Sequence, residues 1–141
     1  MASPKEFTLN KGKCLCEGVQ FSVIGSFGEV RYCHCSQCRR VTGSAFSANA
    51  KISIESWRIN SGEALIREYE NKPGIYRAFC SICGTPVYSK LQSDPQNIRV
   101  RLGSFETVKE VDITGHVWVS SKAPWYSIEG NLPCYMEAIE N

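Results

Sequence analysis

No stretch of this 141-residue chain approaches the run of about 20 apolar residues that a membrane-crossing helix requires. No charge of one sign dominates either. Lysine and arginine together number 16 against 14 acidic residues, a formal net charge of +2, too small to mark a nucleic-acid or membrane-binding surface. The opening Met1-Ala2-Ser3-Pro4-Lys5-Glu6 lacks the apolar stretch of a secretory signal, so a cytoplasmic setting is expected. No window carries a long apolar stripe of period 3.6, and no linker, charge block, repeat or low-complexity tract divides the chain. These absences argue against helical bundles, membrane spans and modular architecture. They leave one globular domain over residues 1–141, with 43% hydrophobic and 21% charged residues.

What is present is short strand patterning punctuated by turns. Val19-Gln20-Phe21-Ser22-Val23 alternates apolar and polar residues, as a half-buried strand does. Further strands are expected at Val30–Cys33, Ala45–Ile54, Leu65–Glu70, Ile75–Cys80, Val87–Leu91, Ile98–Leu102 and Val117–Ser120. Glycine and proline fill the gaps, as at Pro73-Gly74, Gly84 and Gly103. Helix is expected only as a turn or two at Gln37–Thr42 and around Ser104–Val108. The expected fold is therefore all-β: a small zinc-stapled domain of short antiparallel strands with little helix.

The cysteines carry the chemistry. Of eight, seven fall in three clusters: Cys14-x-Cys16, Cys33-x-Cys35-x-x-Cys38 and Cys80-x-x-Cys83. Disulfides within such pairs would close only tiny loops, and a cytosolic chain keeps its thiols reduced. Thiols at this spacing converge instead on one ion, and Zn²⁺ takes a tetrahedron of them at about 2.3 Å. The spacings do not follow those of ferredoxins, which favours zinc over an iron–sulfur cluster. In the most economical division, Cys14, Cys16, Cys80 and Cys83 form a closed structural site. Cys33, Cys35 and Cys38 then form a second site with one position open. Two zinc ions per chain are expected.

Candidates for the open position are His34, within the cluster, and His116, in the expected strand near Val117. An extended loop would point His34 away from the sulfurs, and a satisfied core or surface histidine is the plainer reading of His116. Cys134 has no cysteine neighbour and reads as a small buried residue. Arg39 and Arg40 follow the cluster directly; they suit either a substrate carboxylate or a solvated basic turn. Thr42, Gly43 and Ser44 read as turn residues or as donors toward the site. Three thiolates leave a zinc site at about −1, which favours exchange of a soft sulfur ligand over activation of water.

The runs Gly12-Lys13-Cys14-Leu15-Cys16-Glu17-Gly18-Val19, Cys33-His34-Cys35-Ser36-Gln37-Cys38-Arg39-Arg40-Val41-Thr42-Gly43-Ser44 and Phe79-Cys80-Ser81-Ile82-Cys83-Gly84-Thr85-Pro86 resemble the glutathione-dependent formaldehyde-activating enzyme family, also described as the centromere protein V domain group. His116-Val117-Trp118-Val119-Ser120-Ser121-Lys122-Ala123-Pro124-Trp125 is similar to its C-terminal signature, so the resemblance runs from about Lys11 to Pro133. It implies structural zinc on Cys14, Cys16, Cys80 and Cys83 and catalytic zinc on Cys33, Cys35 and Cys38. The implied activity is that of a carbon–sulfur lyase that forms or cleaves S-hydroxymethylglutathione or a similar thiol–aldehyde adduct. Arg39, Arg40 and Lys122 become candidates for the carboxylates of a glutathione-like thiol, and Trp118 and Trp125 for pocket walls. The chain is short for the family, and Cys134 has no counterpart role in it. The competing expectations are a non-catalytic zinc-stabilised protein-binding module and a thiol-based metal or redox sensor. The oligomeric state is not legible.

Overall fold

A computed structural model describes residues 8–106, 108 and 111–139. Ten strands, β1 (Leu9–Lys13), β2 (Gln20–Ile24), β3 (Val30–Cys33), β4 (Ser47–Ser53), β5 (Trp57–Ser61), β6 (Ile66–Lys72), β7 (Ile75–Cys80), β8 (Pro86–Leu91), β9 (Asp94–Arg101) and β10 (Ile113–Val117), accompany one α-helix, α1 (Ser36–Thr42). They form two sheets, ordered β1-β2-β5 and β10-β3-β4-β9-β8-β7-β6. Every pairing is antiparallel except β3 with β10, which run parallel at the edge of the larger sheet. The all-β expectation holds, with that one parallel pair as its exception.

The small sheet covers one face of the large one. Val23 packs into a cluster with Val30, Ala50, Ile52, Ile98 and Val100, while Phe21 and Val19 pack with Cys14, Cys80 and Val87. Phe21 also stacks near Trp57 and meets Phe105 edge-on, with ring centroids 5.1 and 5.3 Å away. Because side chains alternate along a strand, the residues between these core positions face the opposite way. Register then sorts them into rows. Arg31 lies across from Asn49, which lies across from Arg101. In the next row Lys51, Arg99, Ser89, Arg77 and Tyr69 follow one another across five strands. The large sheet thus has an apolar face closed by the small sheet and a strongly basic face that carries Cys33 at one end.

Gly62 fixes the way β5 leaves the small sheet. Its φ is +79°, and a Cβ there would lie 2.0 Å from the Gly18 carbonyl oxygen. A side chain is excluded both by backbone conformation and by contact with the turn that follows Cys16.

Several expected elements shift. β1, with one apolar side chain, carries no alternation, and β5 alternates only over Trp57 to Asn60; both are paired to β2, one on each of its edges. The strand expected at Val117–Ser120 ends at Val117. Trp118 adopts left-handed backbone at φ 58° and the chain turns into a 3₁₀ segment, Val119–Ser121. Its amides pair instead with the C-terminal segment: Trp118 N–H donates to Glu137 O, Val119 N–H to Tyr135 O and Ser120 N–H to Met136 O. The helical turn expected around Ser104–Val108 is displaced to a 3₁₀ turn over Leu102–Ser104, and its far end lies partly outside the described residues.

Candidate metal centres

Two hairpin tips meet to build the four-cysteine site. After β1 the chain turns through Cys14–Gly18, with Glu17 N–H donating to Cys14 O and Cys14 N–H to Val19 O. After β7 it turns through Cys80–Gly84, closed by Gly84 N–H to Cys80 O at 2.8 Å. Thr85 Oγ1 joins the tips by accepting from Leu15 N–H at 3.0 Å. All four Sγ atoms lie within 4.8 Å of one another. Metal–sulfur bonds of about 2.3 Å in a tetrahedron give sulfur–sulfur edges of about 3.8 Å. The Cys14–Cys16 and Cys16–Cys80 separations, 3.6 and 3.8 Å, fit that figure. Val19 N–H donates to Cys14 Sγ at 3.2 Å, as amides do toward a thiolate. The Thr85 hydroxyl, 3.2 Å away, leads in pulling the Cys83 thiol down to about 5. Cys14 and Cys80 are buried, so an ion here is enclosed by protein on its inner side.

The three-cysteine site is local. Cys33 ends β3, Cys35 caps α1 and Cys38 sits in its first turn, where Cys38 N–H donates to Cys35 Sγ at 3.3 Å. Their Sγ atoms also lie within 4.8 Å of one another, and among the described residues no fourth His, Cys, Asp or Glu completes the set. Asn49 Nδ2 points toward Cys38 Sγ at 3.9 Å. Contact with Cys33 and then Cys38 holds the Cys35 thiol far below its ordinary value, while Cys35, Cys38 and burial push Cys33 up. A soft divalent ion fits this donor set, and binding it would require all three sulfurs as thiolates.

Both histidines are engaged elsewhere. His34 is fully buried, and its Nε2 lies 2.8 Å from His116 Nδ1. Burial, then the nearby His116, Lys122 and Arg39, pulls His34 down to about 4, and burial lowers His116 as well. Cys134 is exposed, with its thiol toward Leu132 O. This corrects the expectation of a buried residue: its backbone bridges to His116 at the edge of β10, and its side chain turns outward.

The expected substrate contacts are arranged unequally. Arg39 donates to Ser121 O at 3.0 Å, and Lys122 Nζ donates to the carbonyls of Ala123 and Tyr126. Arg39 and Arg40 line a shallow cleft of about 230 Å³ with the exposed Trp125. A different cleft, of about 310 Å³, has Cys33 in its wall beside Arg31, Asn49, Lys51, Arg99 and Trp118, with Glu29 also in the wall and ion-paired to Arg31 at 2.8 Å. Nothing in the linear sequence singles out its cations. Their signal is basic residues at alternate strand positions, Arg99 and Arg101 above all, and it acquires meaning only once register aligns Arg31, Lys51 and Arg99.

Arg101 itself is buried at 7% exposure. Burial lowers its guanidinium from the ordinary value; Cys38 and Cys33 oppose that shift while Arg77 and Arg99 add to it.

Among solved structures, the chain is similar to a Rhodobacter sphaeroides protein with 28% sequence identity and a TM-score of 0.57. That match covers 74% of this chain and 99% of the other. None of the curated proteins compared matches it. The model of the glutathione-dependent formaldehyde-activating enzyme family matches residues 9–121, which takes in both cysteine sets and the strands between them, and the chain belongs to that family.

Proposed function

We propose that this protein is a carbon–sulfur lyase that joins a carboxylate-bearing thiol, glutathione or a close analogue, to an aldehyde such as formaldehyde, and cleaves the same adduct. In the forward direction the sulfur forms a bond to the carbonyl carbon, the C=O π bond breaks and the thiol proton ends on the new hydroxyl oxygen. The reverse step restores thiol and aldehyde. The observation that carries this reading is a triad of cysteines, with no fourth such side chain among the described residues, and with Cys33 opening onto a cleft whose wall carries Arg31, Lys51 and Arg99 against the single carboxylate of Glu29.

Zinc held by Cys33, Cys35 and Cys38 would supply a soft site that favours a substrate sulfur in its thiolate form. The closed set of Cys14, Cys16, Cys80 and Cys83 would hold a second, structural zinc. The chain's own residues would bind and orient. Arg31, Lys51 and Arg99 suit the carboxylates of the thiol, and Trp118 forms a wall against which its backbone can lie. Arg39, Arg40 and Lys122 would guide an approaching anion from the neighbouring surface; Lys122, already committed to two carbonyls, also fixes the Ala123–Tyr126 turn. Holding sulfur and aldehyde together accounts for the rate, since thiols add to formaldehyde unaided and need only positioning. A reducing compartment such as the cytoplasm would keep all seven clustered thiols available.

Turnover by zinc-loaded protein with glutathione and a panel of aldehydes, set against Cys35→Ser, tests the proposal. Saturable turnover that disappears in the variant is expected. Equal rates in the two proteins would remove the triad from the reaction.

A further inference from the structure

On the basic face of the large sheet, away from the Cys33 cleft, a cavity of about 330 Å³ opens beside α1. Its walls are largely apolar, with Val41 from α1, Phe79 from β7 and Pro86 from β8, and Tyr69 stands at its rim strand β6. Two cations line it, Arg77 and Arg101, and no acidic residue does. Among the described residues neither arginine takes part in an ion pair. Arg101 is more than nine-tenths buried, yet its Nε and Nη1 have no hydrogen-bond partner. The Nε of Arg77 is likewise unpartnered, while its Nη2 is fixed by Gln37 Oε1 at 3.1 Å.

Buried guanidinium N–H groups are costly to leave unmet, and proteins rarely do so. The cysteine triad does not meet them: Cys38 and Cys33 act on Arg101 through charge, but no sulfur is a hydrogen-bond partner of its Nε or Nη1. Among the described residues no side chain meets these N–H groups, and an anion entering the cavity would suit them. Planar, forked donors suit a carboxylate, and the apolar walls favour one attached to hydrocarbon over a fully hydrated inorganic ion. We propose that this cavity is a binding site for an organic carboxylate with an apolar body, its carboxylate taken by Arg77 and Arg101 and its body lying against Val41, Phe79 and Pro86.

The site is tested by calorimetric titration of the zinc-loaded full chain with hexanoate, hexylamine and inorganic phosphate. No turnover is measured, so the outcome is separate from that of the lyase proposal. Saturable binding of hexanoate, with none of hexylamine, is expected. Arg77→Gln should weaken it by about tenfold or more, the loss of a charge-assisted contact. Val41→Trp, which fills the cavity and leaves every charge in place, should abolish it. Absence of saturable hexanoate binding, binding of phosphate alone, or hexanoate affinity unchanged in Val41→Trp would each overturn the proposal.

Discussion

Cys35 is asked to do two things with one sulfur: close the triad and accept the Cys38 amide at the head of α1. Serine performs the second task as well as any residue, because its hydroxyl is a favoured helix cap. It is a poor substitute for the first, being far less acidic and harder than a thiolate. Cys35→Ser is therefore expected to keep its circular dichroism and denaturation midpoint, to bind about one zinc ion instead of about two, and to lose turnover with glutathione and formaldehyde. Unchanged zinc content by atomic absorption would show that the triad is not a metal site. Lys51 and Arg99 face each other across β4 and β9 in the Cys33 cleft. In the double variant Lys51→Gln, Arg99→Gln, KM for glutathione should rise by about tenfold or more, as expected for lost charge-assisted contacts. KM for 2-mercaptoethanol, which has no carboxylate, should stay within about twofold by the same argument. Equal rises for both thiols would mean that these cations shape the cleft without reading substrate charge.

Register is the element-scale fact that the linear chain conceals. The strands Val30–Cys33 and Ile75–Cys80 are legible to the residue, because runs rich in apolar and aromatic residues and flanking turns mark them. So is the division of cysteines into four and three, since ligand spacing is a local property. The basic face is not legible, because Arg31, Lys51, Arg77 and Arg99 come from four strands and align only when pairing is known. The same holds for a row in which Ala78 lies between Glu68 and Tyr88. The small central side chain lets the Tyr88 hydroxyl reach across β7 and donate to Glu68 Oε2 at 2.5 Å, beside Lys90 at 2.9 Å. Burial, then the Glu68 acceptor, raises the Tyr88 phenol above its ordinary value. A raised folded-state value contributes stability that is complete below the unfolded tyrosine value of about 10 and is lost as pH climbs toward the folded one. The urea midpoint should thus fall between about pH 9 and 11, and fall less steeply in Tyr88→Phe. Identical slopes would show that this pair does not contribute. At the turn before β6, Gly62→Ala should destabilise the domain by about 2 kcal/mol or more, from left-handed strain together with the clash at Gly18.

For the molecule as a whole, the two cysteine sets differ in what they join. Cys33, Cys35 and Cys38 belong to one strand–helix corner already held by β3 pairing with β4 and β10. An ion there closes a short loop and adds little to global stability. The other set brings Cys16 against Cys80, 64 residues away, and ties a hairpin of the small sheet to the inner strands of the large one. Cross-linking so distant a pair removes much more freedom from the unfolded chain, and in a closed structural site the binding energy of the metal is folding energy. Metal loss should consequently proceed in two stages. Titration with a competing chelator is expected to withdraw the triad's ion first, abolishing turnover while the denaturation midpoint moves little. Withdrawal of the second ion should coincide with collapse of the near-ultraviolet circular dichroism, and Cys80→Ser should reproduce that state without chelator, because Cys80 is wholly buried as well as a member of the four-cysteine set proposed to hold that ion. Simultaneous release of both ions, or unfolding at the first, would mean that the open corner bears the stability here assigned to the closed site. For the proposed lyase this division of labour would serve catalysis: only a fold anchored elsewhere can leave a three-ligand corner free to exchange its fourth partner at every turnover.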